Sequence, residues 1–154
     1  MKMAEICTRE VVQVRARTSV AEAAALMRSR HVGDLVVTDD IAGKAMPLGI
    51  VTDRDIVVEV VAAGVDPATL SVGDIMGRRL VTAGETEEIS DVLPRMRHEG
   101  VRRIPVVDED GALVGIISLD DLLEVLAQEL TDTVRLMSWG RVREQRTRDM
   151  RVSG

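Results

Sequence analysis

The stretch GIVTDRDIV at Gly49–Val57 has a near copy in the same chain, GIISLDDLL at Gly115–Leu123. The similarity extends well beyond these motifs, because a shift of 69 positions aligns Met27 with Met96 and Val37 with Val106. Behind a loop that is three residues longer in the first copy, the shift becomes 66. The sequence is therefore a duplicated unit. Two copies are too few for a solenoid, so we expect them to pack on each other about a pseudo-twofold axis.

Within each copy, strand-like and helix-like patterns alternate. Short β-branched runs at Val11–Val14 and Leu80–Thr82 predict strands. Apolar residues then recur with helical spacing, from Val20 in the first copy and from Ile89 in the second. Ser19 stands where a capping box would begin the first of these helices.

The strands that follow predict a hairpin in each copy. In the second copy, Ile104–Val107 and Leu113–Ile117 flank an Asp-Gly pair that suits a tight turn. In the first copy, we expect a longer loop around Gly43 and Pro47. A second helix should follow each hairpin, and Gly64 should end that helix in the first copy.

A hydroxyl and an aspartate mark the start of both second helices. Thr52 is followed three positions later by Asp55, and Ser118 by Asp121. One interpretation is structural, because this spacing is that of a capping box. The other is functional, because a carboxylate in a first helical turn can accept two hydrogen bonds from the cis-diol of a ribose, and nearby N–H groups favour an anion. The residues leave both interpretations open.

The composition narrows the function classes. The 154 residues include no Phe or Tyr and a single Trp, Trp139, so aromatic platforms for single-stranded nucleic acid are missing. The net charge of −6 opposes nucleic acid and anionic membranes, although the segment after Ser138 is basic. The apolar run at Val57–Val65 is too short to span a membrane. With Cys7 as the only cysteine and no Cys/His ligand pattern, we expect a cytoplasmic protein without a metal site.

The chain resembles the cystathionine-β-synthase (CBS) domain family. The resemblance rests on the two quoted motifs, on GVRRIPVVDEDGALVGIIS at Gly100–Ser118 and on VGDIM at Val72–Met76, and it covers about residues 3–130. It implies an α/β (α+β) fold of two pseudo-twofold-related β-α-β-β-α repeats packed sheet to sheet, known as a Bateman module, with a C-terminal helical extension. The expected division is a first repeat at 1–64, a linker at 65–71, a second repeat at 72–130 and a helical, basic tail at 131–154.

The resemblance also implies a ligand and its site. Such modules commonly bind AMP, ADP, ATP or S-adenosylmethionine in two clefts between the repeats. The family motif places ribose-binding aspartates at Asp55 and Asp121, while a basic residue before the Ile-Pro pair, here Arg103, often contacts phosphate. The full set implied for ligand binding is Ile50, Thr52, Asp55, Arg102, Arg103, Ile116, Ser118 and Asp121.

The first copy departs from the family pattern, because Asp34 stands where the second copy has Arg103. A carboxylate repels phosphate. If these side chains stay with the cleft of their own copy, the cleft of Ser118 and Asp121 should bind nucleotide better. If each cleft draws on both repeats, this inequality disappears.

Three functions remain for comparison. The first is a stand-alone regulatory module that senses an adenine nucleotide and signals through a homodimer. An apolar stripe along the last helix suggests the shared surface, and it consists of Leu119, Leu122, Leu123, Leu126, Leu130, Val134 and Met137.

The second is a protein-interaction adaptor with vestigial clefts, in which the last helix recruits an unidentified regulated protein. The third is an enzyme such as a nucleotide hydrolase, which the lack of a Walker loop and of a nucleophile–base pair opposes. We therefore expect no catalytic activity and no required cofactor, with the nucleotide acting as a regulatory ligand.

Overall fold

The computed structural model describes residues 1–152, without the side chains of residues 149, 151 and 152. It divides into two compact units, one from Met1 to Ser118 and one that begins at Leu119. The first unit carries both sheets, and the second is a single helix.

The order of elements is the same in both repeats. The first contains α1 (Met3–Ile6), β1 (Gln13–Arg15), α2 (Val20–Arg30), β2 (Asp34–Ile41), β3 (Lys44–Thr52) and α3 (Asp53–Ile56), which runs into a π-helical segment at Val57–Val61. The second contains α4 (Val72–Ile75), β4 (Ala83–Gly84), α5 (Ile89–Glu99), β5 (Arg103–Val107), β6 (Leu113–Ser118) and α6 (Leu119–Val152). The predicted fold class, with its C-terminal helical extension, is confirmed.

Each repeat forms a three-stranded sheet, ordered β1-β2-β3 and β4-β5-β6. The first two strands of each sheet are parallel and the last two antiparallel. The core of the first repeat consists of the inward side chains of its sheet and α2, including Val14, Met27 and Leu35. The capping box at the start of α2 is present, because Ser19 Oγ accepts the N–H of Glu22 at 3.1 Å.

The opening helices of the two repeats are exchanged. Val72 of α4 lies in the core cluster of the first repeat, and its N–H donates to the carbonyl of Thr18 at 2.8 Å. In the opposite direction, the N–H of Met3 in α1 donates to the carbonyl of Glu87 in the second repeat at 3.0 Å. Each repeat therefore completes its fold with the first helix of the other one.

This exchange explains the glycine at the start of each quoted motif. A Cβ at Gly115 would lie 2.5 Å from Cys7 Sγ, and a Cβ at Gly49 would lie 3.1 Å from Met76 Sδ. Cys7 and Met76 are equivalent positions of the two copies, each directly after the exchanged helix. Only a residue without a side chain lets the crossing segment come this close to the strand.

The hairpin of the first repeat corrects the predicted long loop. β2 and β3 continue to a two-residue turn at Ala42 and Gly43, whose φ values of 52° and 78° are those of a type I′ turn. Pro47 lies within β3, next to a shift of register between Val37 and Thr38. Such a bulge tolerates a proline inside a strand. The extra residues lengthen the strands instead of the loop.

The end of the first repeat's second helix follows the prediction. Gly64 has a φ of 68°, and the N–H of Val65 donates to the carbonyl of Val60 at 3.1 Å. This hydrogen bond is that of a Schellman motif with the glycine at C′. In the second repeat, α6 continues without interruption past residue 130. Within the described residues, no helix is long and apolar enough to cross a membrane.

Candidate functional site

A cleft of about 380 Å³ opens in the unit Met1–Ser118 and contains half of the predicted ligand residues. The first repeat contributes the end of β3 and the start of α3. The second contributes the segment after α4 and the residues that lead into β5. The cleft is lined by Ile50, Thr52, Arg54, Gly77, Arg79, Leu80, Val81, Gly100, Val101, Arg102 and Arg103.

The predicted phosphate residues share this cleft with the hydroxyl of the other repeat. Arg102 and Arg103 belong to the second repeat, whereas Thr52 belongs to the first. Of the two alternatives, this lining fits a cleft that draws on both repeats. The cleft of Ser118 and Asp121 therefore stays without a predicted advantage in nucleotide binding.

The departure at Asp34 has a structural reason. The Asp34 carboxylate lies 2.8 Å from Nε of Arg103, its own counterpart in the other copy. Two equivalent residues can touch only where they lie next to the pseudo-twofold axis. Identical charges would repel each other at this point, so one acid and one base give an attractive contact. Asp34 is not among the residues that line the cleft.

Thr52 and Asp55 form the capping box that their spacing allows. The N–H of Asp55 donates to Thr52 Oγ1 at 3.1 Å, and the N–H of Thr52 donates to Asp55 Oδ2 at 2.8 Å. Asp55 does not line the cleft. One carboxylate oxygen is thus occupied by the protein's own main chain, and the contact of Asp55 with a ribose stays a prediction.

The residues predicted for a second cleft lie in both units. Ile116 is half-buried in β6, and its backbone forms two hydrogen bonds of 2.9 Å with Thr8. Ser118 ends β6 opposite Arg103, and Asp121 lies in the first turn of α6. Their binding role also stays a prediction.

Two arginines of the cleft were not predicted from the sequence. Arg54 lies inside the first quoted motif, between the two aspartates. Arg79 follows the exchanged helix α4, and its guanidinium forms an ion pair of 2.8 Å with Glu99. A basic residue within the motif was the available signal for Arg54. Arg79 offered none, because its position depends on the exchange.

The walls and rim of the cleft differ in polarity. Ile50, Leu80, Val81 and Val101 are half-buried aliphatic walls that can hold a flat apolar group. Four arginines place their guanidinium groups along the same cleft, namely Arg54, Arg79, Arg102 and Arg103. Such groups form charge-assisted hydrogen bonds to phosphate. Among the described residues, no cluster of three or more His, Cys, Asp or Glu side chains could hold a metal ion.

A two-repeat fold with exchanged opening helices and a cleft between the repeats defines a tandem domain-pair architecture. The family model of the CBS domain matches the chain twice, at residues 3–62 and 72–128. The chain belongs to the CBS domain family.

Known proteins are similar to this chain in sequence or in structure. The chain is 33% identical over 125 residues to uncharacterized protein MK0525 of Methanopyrus kandleri. The aligned region covers 81% of this chain and 62% of that protein. The hexameric CBS-CP12 protein from bloom-forming cyanobacteria is 34% identical, with a TM-score of 0.70 over 80% of this chain and 66% of that one. The CBS domain pair of protein MJ0100, in complex with 5′-methylthioadenosine and S-adenosyl-L-methionine, has a TM-score of 0.72 at 23% identity, over 84% of this chain and 98% of that one.

Proposed function

We propose that this protein is a regulatory module that binds an adenine nucleotide in the cleft between its repeats. The observation that carries the proposal is the combination, in one cleft, of aliphatic walls, the Thr52 hydroxyl and four guanidinium groups. A volume of about 380 Å³ lies in the range of small-molecule sites. The purine would lie between Ile50, Leu80 and Val81, with the phosphates towards the arginines.

The charge of the cleft favours phosphate-bearing ligands among the adenosine compounds. Each hydrogen bond between a guanidinium and a phosphate contributes about 1.5–3 kcal/mol. The sulfonium of S-adenosylmethionine is itself positive and would be repelled by the same groups. We therefore expect ATP and ADP to bind more tightly than AMP, and all three more tightly than S-adenosylmethionine or 5′-methylthioadenosine.

Isothermal titration calorimetry of the full chain with these five ligands tests the proposal. In the Arg54→Ala variant, the affinity for ATP should fall at least about tenfold, because one charge-assisted contact is lost. Arg28→Ala is the matched control, since this arginine is exposed on α2 and does not line the cleft. A protein that binds none of the five ligands, or an Arg54→Ala variant that binds ATP like the control, would contradict the proposal.

The role of Asp55 can be separated from that of the arginines. If the second carboxylate oxygen of Asp55 holds the ribose, Asp55→Asn should lower the affinity for AMP and for 5′-methylthioadenosine alike, because both carry the diol. If Asp55 only caps α3, the same change lowers stability by about 0.3–1 kcal/mol, because the negative charge near the helix N-terminus is lost, and leaves affinity unchanged. Thermal melting with and without each ligand distinguishes the two results. Asp121→Asn is the equivalent test for the predicted second cleft.

Signalling requires only that the ligand favours one arrangement of the protein over another. We propose that this change is transmitted through a homodimer. The adaptor function is the second candidate, because α6 exposes large apolar side chains such as Leu130 and Met137. Truncation after Gln128 separates the two functions, since a sensor keeps its nucleotide affinity while an adaptor loses its partner.

A further inference from the structure

Two of the four arginines along the cleft are held by carboxylates of the protein itself. The two terminal nitrogens of Arg79 contact the two carboxylate oxygens of Glu99, at 2.8 and 3.0 Å. Nε of Arg103 lies 2.8 Å from the carboxylate of Asp34. Both arginines line the cleft, whereas neither acid does. Each ion pair therefore joins a lining residue to a carboxylate outside the lining.

The two carboxylates are less accessible to water than the arginines that they hold. The side chain of Glu99 is 13% exposed and that of Arg79 is 78% exposed, while the values for Asp34 and Arg103 are 18% and 39%. Glu99 is the last residue of α5 and Asp34 is the first residue of β2, so regular elements fix both main chains. Partly buried charges are screened less by water and salt than exposed ones. Two negative charges are therefore fixed close to the cleft, and solvent removes only part of their effect.

The ion pairs compete with a phosphate in two ways. A guanidinium binds phosphate best through two parallel N–H donors. In Arg79, the two terminal nitrogens are already occupied by Glu99. A phosphate that uses both of them must displace the carboxylate, or else use the donors that remain. Independently of this geometry, each carboxylate repels the negative charge of the phosphates.

We propose that Glu99 and Asp34 lower the affinity of the cleft for nucleotides, because they compete with phosphate for Arg79 and Arg103. The two acids offset two of the four positive charges, and they act only on the part of a ligand that carries phosphate. They thereby reduce the difference in affinity between ATP and an adenosine compound without phosphate. This inference rests on the proposed function, because it concerns the same cleft.

Isothermal titration calorimetry of the full chain with ATP and 5′-methylthioadenosine tests the inference. Glu99→Gln removes the negative charge at nearly constant size, so the affinity for ATP should rise about fivefold. Asp34→Asn should raise it by a similar factor. The affinity for 5′-methylthioadenosine should stay at the wild-type value in both variants, because this ligand has no phosphate.

Asp110→Asn is the matched control. This change removes the same charge from another ion pair, which Asp110 forms with Lys44, and neither residue lines the cleft. The affinity of this variant for ATP should equal that of wild type. In an Arg79→Ala background, Glu99→Gln should lose most of its effect, because the arginine for which the two anions compete is absent.

An affinity for ATP that stays constant or falls in either variant would overturn the inference, since the carboxylates would then serve to position the arginines. An equal gain for 5′-methylthioadenosine would also overturn it, because the effect would not act through phosphate. The same gain in the Asp110→Asn control would do so too, because net charge alone would explain it. In these three results wild type still binds ATP, so the proposed function stands. Failure of wild type and of every variant to bind ATP would refute the proposed function and this inference together.

Discussion

Replacing Gly115 with alanine should destabilise the protein strongly, because of the segment that crosses between the repeats. The new Cβ would lie 2.5 Å from Cys7 Sγ, 3.1 Å from Cys7 Cβ and 3.0 Å from the carbonyl oxygen of Thr8. Rotation of the cysteine relieves only the first contact. The other two atoms cannot retreat easily, since Thr8 forms two backbone hydrogen bonds with Ile116.

The expected cost follows from these contacts. Overpacking a tight site costs about 1–3 kcal/mol, and weakening two hydrogen bonds adds about 1 kcal/mol each. We therefore expect Gly115→Ala to lose about 3–5 kcal/mol, a large part of the 5–15 kcal/mol that is typical of a folded domain. Gly49→Ala should lose less, because its nearest contact is the flexible Met76 Sδ at 3.1 Å. Gly140→Ala meets no atom and serves as the control.

Equilibrium unfolding in urea, followed by circular dichroism, gives these differences from the midpoint at a constant slope. The Cys7→Gly change in the Gly115→Ala background should restore part of the loss, because it removes the atoms at 2.5 and 3.1 Å. A Gly115→Ala variant as stable as the Gly140→Ala control would show that the crossing segment does not press on the strand, and the reasoning would be refuted.

Two further predictions concern charges. Asp34→Arg should lower the free energy of unfolding by about 1 kcal/mol, and adding Arg103→Asp should restore it, because the two positions are equivalent across the axis. A double variant no more stable in urea than Asp34→Arg would contradict the position of this pair at the axis. Hydrogen bonds from Arg95 lower the pKa of Glu87, against the opposing effect of burial, and the N–H of Gly84 lowers it further. The stabilisation from Glu87 is present above the pKa of an unfolded glutamate and is lost as the pH falls through the folded value, so the free energies of unfolding of wild type and Glu87→Gln should converge on acidification. Curves that stay parallel down to the lowest pH would disprove this linkage.

The sequence by itself determined the elements whose cause is local. The duplicated motif, the helix that begins after Ser19 and the glycine C′ position at Gly64 depend on residues within a few positions of each other. The capping box of Thr52 and Asp55 also followed from spacing alone. Spacing could not predict that β2 and β3 stay paired past Pro47, because the bulge that allows this depends on how the two strands pair.

The tertiary structure alone decided which residues of one repeat meet those of the other. Repeats that are similar in sequence are equally consistent with separate or exchanged opening helices, because the same apolar faces would be buried either way. The exchange placed Arg79 in the cleft and gave the glycines of both motifs their reason. The contact of Asp34 with Arg103 likewise arises from packing between positions 69 residues apart, a separation at which no local pattern constrains the chain.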